Sequence, residues 1–270
     1  MPQHRHEGFT FAAAPYANAV PLAHFLTSVA PGVRVVSEHP ARLSALLAEG
    51  SADAALVPII DLFDHPFHMI EGLGVCAEKA VESVLLKCHR PIEEVRTVAL
   101  SPASHTSNAL ACVLLREHLG MSPQMAFDLD GPPDAAVVIG DLALASPPAP
   151  CGDLDLATLW HAMTALPFVF AVWACPSGHP RVAELTRIAY AAKQAGLAAI
   201  GDLARLVAAN LGLAEDRCRR YLESVIYYDV GPRELAAIEE FRTWVRENER
   251  FLPPRDPRPA VRPLAGRPRP

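Results

Sequence analysis

The chain has 270 residues, 51% of them hydrophobic, and a formal net charge of −6. That length supports one large domain or two small ones around a buried core, and the composition excludes a disordered chain. Basic residues are scattered under a net negative charge, which argues against nucleic acid as a partner, because phosphate binding needs clustered Lys and Arg.

The N-terminal stretch MPQHRHEGFTFAAAPYA (1–17) has no basic region followed by a long apolar one, so no export signal is expected. His4 and His6 within it read as a solvated end. FTFAAA (9–14) is a predicted strand, and a helix is predicted over 18–29 with Asn18 at its start and Pro21 in its first turn. Asn18 fits two roles, a helix N-cap or a ligand contact. VRVVS (33–37) is a second strand. PARLSALLAEG (40–50) is a helix with Leu43, Leu46 and Leu47 on one face, Pro40 in its first turn and Gly50 as its stop. DAALVP (53–58) closes a βαβαβ unit, which implies a parallel sheet covered on both faces. DHPFH (64–68) carries two histidines, but Pro66 between them spoils a helical metal pair.

SVLLKC (83–88) is a predicted strand. A second unit runs through VRTVAL (95–100), a helix over 104–119, QMAFDL (124–129) and AAVVIG (135–140). The link DGPPD (130–134) is too short for a parallel crossover. Either a helix is missing there, or the two strands it joins are not neighbours. PFVFAVWAC (167–175) is another strand. Beyond 179 the pattern is helical, with Leu235, Ile238, Phe241 and Val245 as a core-facing stripe. The segment 253–270, dense in Pro and Arg, reads as a disordered tail. Six cysteines without CxxC spacing read as buried thiols, so neither a disulfide framework nor a zinc site is expected. No run is long enough to span a membrane. The expectation is a soluble, cytoplasmic protein.

This order predicts two α/β lobes, 8–87 with 175–252 and 88–174, joined by strands 83–88 and 167–175. Ligands of open α/β sheets bind beyond the carboxyl ends of strands. PYAN, SPASHTS and Gly140–Asp141 stand at those ends. Ser104, Thr106 and Ser107 open a helix, where hydroxyls and free amides either cap it or hold an anion. Asp141 fits a general base or a cap of the helix that follows it. His105 fits proton transfer or a solvated loop residue. No GxGxxG, GxxxxGK[ST] or GxSxG occurs. A cleft of hydroxyls, amides and one Asn suits a small carboxylated ligand.

Together, PYANAVPL, GSADAALVP, VESVLL, SHTSNALACVLL, VVIGDLAL and DLATLWHAMTALPFVFAVW resemble the chorismate dehydratases of the futalosine route to menaquinone. The most specific part holds Trp160, Thr164, Leu166, Pro167 and Trp173. Ala157 and Ala165 stand where that family usually has glycine. The resemblance implies a type 2 periplasmic-binding-protein-like fold with a ligand cleft between two α/β lobes. It also implies conversion of chorismate to 3-[(1-carboxyvinyl)oxy]benzoate with loss of water, without metal or organic cofactor. The family's conserved Asn falls on Asn18, its Ser before the crossing strand on Ser83, and its Thr-Ser pair on Thr106 and Ser107. Two other readings are a binding protein for a small carboxylate and the sibling enzyme that forms 1,4-dihydroxy-6-naphthoate.

Overall fold

A computed structural model describes residues 8–253. The expectations for the first seven residues, His4 and His6 among them, and for the tail after Pro253 lie outside the described residues. In chain order the first elements are β1 (Thr10–Ala13), α1 (Val20–Ala23), α2 (Leu26–Val29), β2 (Arg34–Ser37), α3 (Pro40–Ala48), β3 (Ala54–Pro58) and the long β4 (Phe67–Ala77). There follow β5 (Val84–Cys88), β6 (Thr97–Ala99), α4 (His105–Val113), β7 (Gln124–Ala126), β8 (Ala135–Ile139), α5 (Gly140–Ala145), β9 (Asp153–Asp155) and α6 (Leu156–Thr164). β10 (Phe168–Pro176) then leads to α7 (Val182–Ala198), α8 (Ile200–Leu211), α9 (Glu215–Arg220), β11 (Ile226–Tyr227) and α10 (Pro232–Glu247).

The strands form two sheets, one in the order β11-β4-β10-β3-β1-β2 and the other β7-β6-β8-β5-β9. Both are mixed rather than parallel. β1 pairs in parallel with β2 and β3, while β10 runs antiparallel to β3 and β4. In the second sheet β6 pairs in parallel with β7 and β8, one on each side, and β5 is antiparallel to β8 and β9. β7 and β8 are therefore not neighbours, and the short 130–134 link never makes a direct crossover.

The two strands expected to join the lobes each belong to one sheet. β5 is paired on both edges inside the second sheet, and β10 on both edges inside the first. The chain passes between sheets just before β5, and again through α6 just before β10. Two other expectations change. The 18–29 helix is a 3₁₀ turn, Ala17–Ala19, followed by the separate α1 and α2. Pro21 sits in the first turn of α1, where its missing N–H has no partner to lose, and the helix breaks after α1 at Phe25, with φ −95° and ψ 5°. β2 lies at a sheet edge with Arg34, Val35 and Ser37 exposed, so it is not covered on both faces.

The core that fixes the second passage is aromatic. Trp160 is fully buried, and its indole N–H donates to the Pro167 carbonyl at 3.0 Å. Its ring meets Phe168 and Phe241 edge-on, with centroids 5.3 and 5.9 Å away. Such contacts add to the large apolar area that aromatic rings bury. They tie α6, β10 and α10 into one corner. On α10, Ile238, Phe241 and Val245 are buried as expected, but Leu235 is 44% exposed and Ala237 takes the inward position. The α7 backbone comes close to α1: a Cβ on Gly196 would stand 2.0 Å from the Pro21 carbonyl oxygen. Five of the six cysteines are buried, and Cys151 is the exposed exception. Among the described residues, no helix is long and apolar enough to cross a membrane.

Ala165, one of the two alanines at usual glycine positions, ends α6 in the left-handed conformation with φ 58°. A Cβ in that region collides with the following carbonyl, a strain of about 1–2 kcal/mol that glycine does not carry. Part of the gain is offset by glycine's greater unfolded-state entropy. Ala165→Gly is therefore expected to raise stability by roughly 0.5–1 kcal/mol, read as a higher midpoint in thermal or urea denaturation.

Candidate active site

The three strand ends converge. β1 ends into Tyr16, Ala17 and Asn18, β6 leads to the start of α4, and β8 turns at Gly140. Between them lies a narrow cavity of about 60 Å³ lined by residues of both sheets. Its polar lining consists of Tyr16, Asn18, Ser104, Thr106 and Ser107, and the rest is apolar, including Leu56, Val75, Val84 and Phe170. No Asp, Glu, His, Lys or Arg side chain is among the lining residues.

Asn18 is not the helix cap. It sits inside the 3₁₀ turn, whose N-cap position is Tyr16 and carries no side-chain cap bond. The orphan donor at that turn is met from the other sheet: the Ala17 N–H donates to Asp141 Oδ1 at 2.8 Å. Asp141, the second residue of α5, thus caps the 3₁₀ turn 124 residues away in sequence and not its own helix. Burial pushes its carboxyl above the usual range, opposed by the Ala17 hydrogen bond. Asn18 is half-buried and lines the cavity, and its amide makes no hydrogen bond among the described residues.

Gly140 makes the cross-sheet fit possible. Its φ of 62° is in the region that favours glycine, and a Cβ there would stand 3.1 Å from the Tyr16 ring. Tyr16 therefore packs directly over the start of α5. Burial, and secondarily the Asp141 charge, raises its phenol pKa.

At the start of α4, Ser104 is the N-cap, and its Oγ accepts the Ser107 N–H at 3.1 Å. The Ser104 hydroxyl donates to Ser107 Oγ at 2.9 Å. Thr106 Oγ1 accepts the Ile60 N–H at a long 3.4 Å. The loop before the helix is braced by Asn108, which accepts the Ser101 N–H at 2.9 Å and donates to its carbonyl at 2.8 Å. So capping uses Ser104, while Thr106 and Ser107 keep hydroxyl capacity at a helix terminus that favours anions.

His105 is not a solvated loop residue. Its side chain is only 10% exposed, and Nδ1 lies 3.2 Å from Oδ1 of the buried Asp61. Asp61 also accepts the Ser44 hydroxyl. This pair joins the 3₁₀ turn after β3 to the start of α4, tying the sheets together beside the cavity.

Of the six residues singled out from sequence, Asn18, Ser104, Thr106 and Ser107 line one cavity. Ser83 and Asp141 do not line it, but their chain neighbours Val84 and Gly140 do. Sequence reasoning missed Tyr16 as a lining residue, although it quoted the PYAN turn. It also missed Asp61 and Tyr221, whose partners lie 44 and 138 residues away.

The chain has relatives of known family and fold. The family profile described as menaquinone biosynthesis matches residues 9–247. A chorismate dehydratase of Thermus thermophilus is 31% identical, covering 82% of this chain and 89% of its own length. One of Campylobacter jejuni is 29% identical, covering 86% of this chain and 95% of its own. Among solved structures, a structural-genomics protein from Archaeoglobus fulgidus superposes with a TM-score of 0.72 at 13% identity, covering 91% of this chain and 99% of that one. A Candida albicans gene product described as having the generic periplasmic binding protein structural fold gives 0.58 at 9% identity, covering 93% and 97%. The fold is thus that of periplasmic binding proteins, with two α/β units around a cleft, and the chain belongs to the menaquinone-biosynthesis family.

Proposed function

We propose that this protein is a chorismate dehydratase, a carbon–oxygen lyase that converts chorismate to 3-[(1-carboxyvinyl)oxy]benzoate and water. One observation carries the reading: the cavity between the sheets offers an amide, four hydroxyls and a helix N-terminus, but no Asp, Glu, His, Lys or Arg side chain. A site of that kind holds carboxylates with no carboxylate, imidazole or amine of its own to move a proton.

Chorismate fits it chemically. The substrate carries two carboxylates, which suit the hydroxyls and amides at the start of α4. Its C3 proton is conjugated through a ring double bond to the ring carboxylate. Removing that proton moves negative charge into this carboxylate, where preorganised donors from Thr106 and Ser107 stabilise it most. The C4 hydroxyl then leaves with the bonding pair, and the ring becomes aromatic. With no ionisable acid or base other than Tyr16 in the lining, the substrate's own side-chain carboxylate takes the proton and passes it to the departing oxygen. The protein's part is to hold that conformation and keep water away, which needs no cofactor. Asn18, whose amide has no hydrogen-bond partner among the described residues, orients the departing hydroxyl or the acting carboxylate. Asp141 shapes the site from behind by holding the Tyr16–Asn18 turn against the second sheet, and Ser83, buried next to the lining residue Val84, supplies a further hydroxyl donor to the substrate.

Purified protein incubated with chorismate is expected to give the aromatic product, followed by ultraviolet absorbance and by mass as the loss of one water. Binding without turnover would favour the small-carboxylate binding protein, and absence of both binding and turnover would overturn either reading.

Two substitutions separate site from scaffold. Asn18→Asp is expected to leave the melting temperature close to the parent, since Asn18 makes no structural hydrogen bond, and to lower turnover on the order of a hundred-fold by placing negative charge beside a dianion. Near-parental turnover in a folded variant would remove Asn18 from the site. Thr106→Val deletes a hydroxyl without changing shape and is expected to weaken product binding roughly ten-fold, the worth of one hydrogen bond to a charged group. Titration calorimetry reads that change.

A further inference from the structure

The corner just before β5 is held more firmly than a connecting loop needs. Glu82 has φ 58°, one of two non-glycine residues with positive φ among those described. Three supports keep it there. Asp155 Oδ2 accepts the amide N–H of Val81 at 3.0 Å and of Glu82 at 2.7 Å. The Arg220 guanidinium donates to both carboxylate oxygens of Glu82, each at 2.7 Å. A strained backbone fixed from several sides points to something that must be aimed.

The residue aimed is Ser83. It is fully buried, its carbonyl accepts the Gly140 N–H at 2.7 Å, and its hydroxyl oxygen accepts the Tyr221 phenol hydrogen at 2.7 Å. Tyr221 is 1% exposed and begins a π-turn, Tyr221–Val225, directly after Arg220. One turn of chain therefore supplies both the clamp on Glu82 and the partner of Ser83. Such turns recur at functional sites.

We infer that Tyr221 is a positioning residue: by donating to Ser83 Oγ it leaves the Ser83 hydrogen to point away from it, toward the cavity wall formed by Val84 and Gly140, as a donor to the bound substrate. A serine hydroxyl has one hydrogen and two acceptor sites. Tyr221 fills an acceptor site, and no acceptor for the Ser83 hydrogen is found among the described residues. Without Tyr221 the hydroxyl would rotate freely, or turn back to donate to whatever replaced the phenol. Burial raises the Tyr221 phenol pKa well above its ordinary value, so it remains a donor at any working pH. The inference rests on the dehydratase reading and on Ser83 acting as a ligand donor within it.

The test is a double-mutant comparison of Tyr221→Phe, Ser83→Ala and the pair, with kcat and KM for chorismate and a melting curve for each. Tyr221→Phe keeps the ring and removes only the phenolic oxygen. It is expected to lower kcat/KM about ten-fold, and to have no further effect once Ser83 is Ala. Parental activity in folded Tyr221→Phe overturns the inference alone. So does a loss that persists undiminished in the Ser83→Ala background, because that marks a structural role. Full activity of Ser83→Ala also overturns it, along with the part given to Ser83. Absence of turnover by the unmodified protein overturns the dehydratase reading and the inference with it. The set is repeated in the Ala165→Gly background, so that a stability loss in the Phe variant is not mistaken for a lost function.

Discussion

The hydrogen bond from Ala17 to Asp141 is the contact on which the site depends. A helix start carries donors that its own backbone cannot satisfy. In most proteins a neighbouring Ser, Thr, Asp or Asn meets them. Here that acceptor belongs to the other sheet, so the turn carrying Tyr16 and Asn18 is complete only when the two sheets face each other. Gly140 supplies the matching surface, because its missing Cβ gives the Tyr16 ring room to lie on the start of α5. The amide of Asn18, which lines the cavity, has no hydrogen-bond partner among the described residues because Asp141 does the capping. One interaction therefore bridges the two α/β units and leaves Asn18 unused as a cap.

The second support is the aromatic corner around Trp160. The segment most distinctive in the sequence, Trp160 to Trp173, contributes only Phe170 and Ala171 to the cavity lining. Its work is to return the chain from the second sheet to the first at a fixed angle. Trp160 binds the Pro167 carbonyl, Thr164 Oγ1 donates to the Trp160 carbonyl at 2.9 Å, and Phe241 closes the cluster from α10. A distinctive motif here marks a joint that must not slip. Polar chemistry is left to short turns at strand ends.

Charge is distributed to suit that division. Ion pairs lie outside the cavity lining, Arg220 with Glu82 and Lys87 with Asp153, and His105 meets Asp61 in a hydrogen-bonded contact beside it. The Arg220–Glu82 pair and the His105–Asp61 contact hold segments next to lining residues, and the lining itself has no Asp, Glu, His, Lys or Arg side chain. A neutral lining leaves a dianionic substrate facing dipoles, which stabilise moving charge without competing with it for protons. The exposed pairs add little to stability. What they contribute is the placement of backbone, most visibly at Glu82.

The sequence by itself determined the local elements and their order. Apolar runs near Phe11, Val57, Leu86 and Val172, separated by amphipathic stretches, specify strands and helices through neighbours two to four residues apart. They also specify which turns follow strands, which is why Asn18, Ser104, Thr106 and Ser107 could be named as one group before their meeting was seen. Local patterns could not decide which strand pairs with which. β5 and β10, read as connectors, proved to be interior strands, because pairing depends on partners on both edges and not on the strand's own residues. Nor could they assign polar side chains that reach across the molecule. Asp141 reads as the cap of its own helix and serves another one. His105 reads as solvated and is buried against Asp61. Tyr221 carries no local mark at all, since its partner Ser83 is 138 residues away. Tertiary structure decided these, because hydrogen bonds between distant residues form only after the sheets and the helices packed on them have brought donor and acceptor within reach.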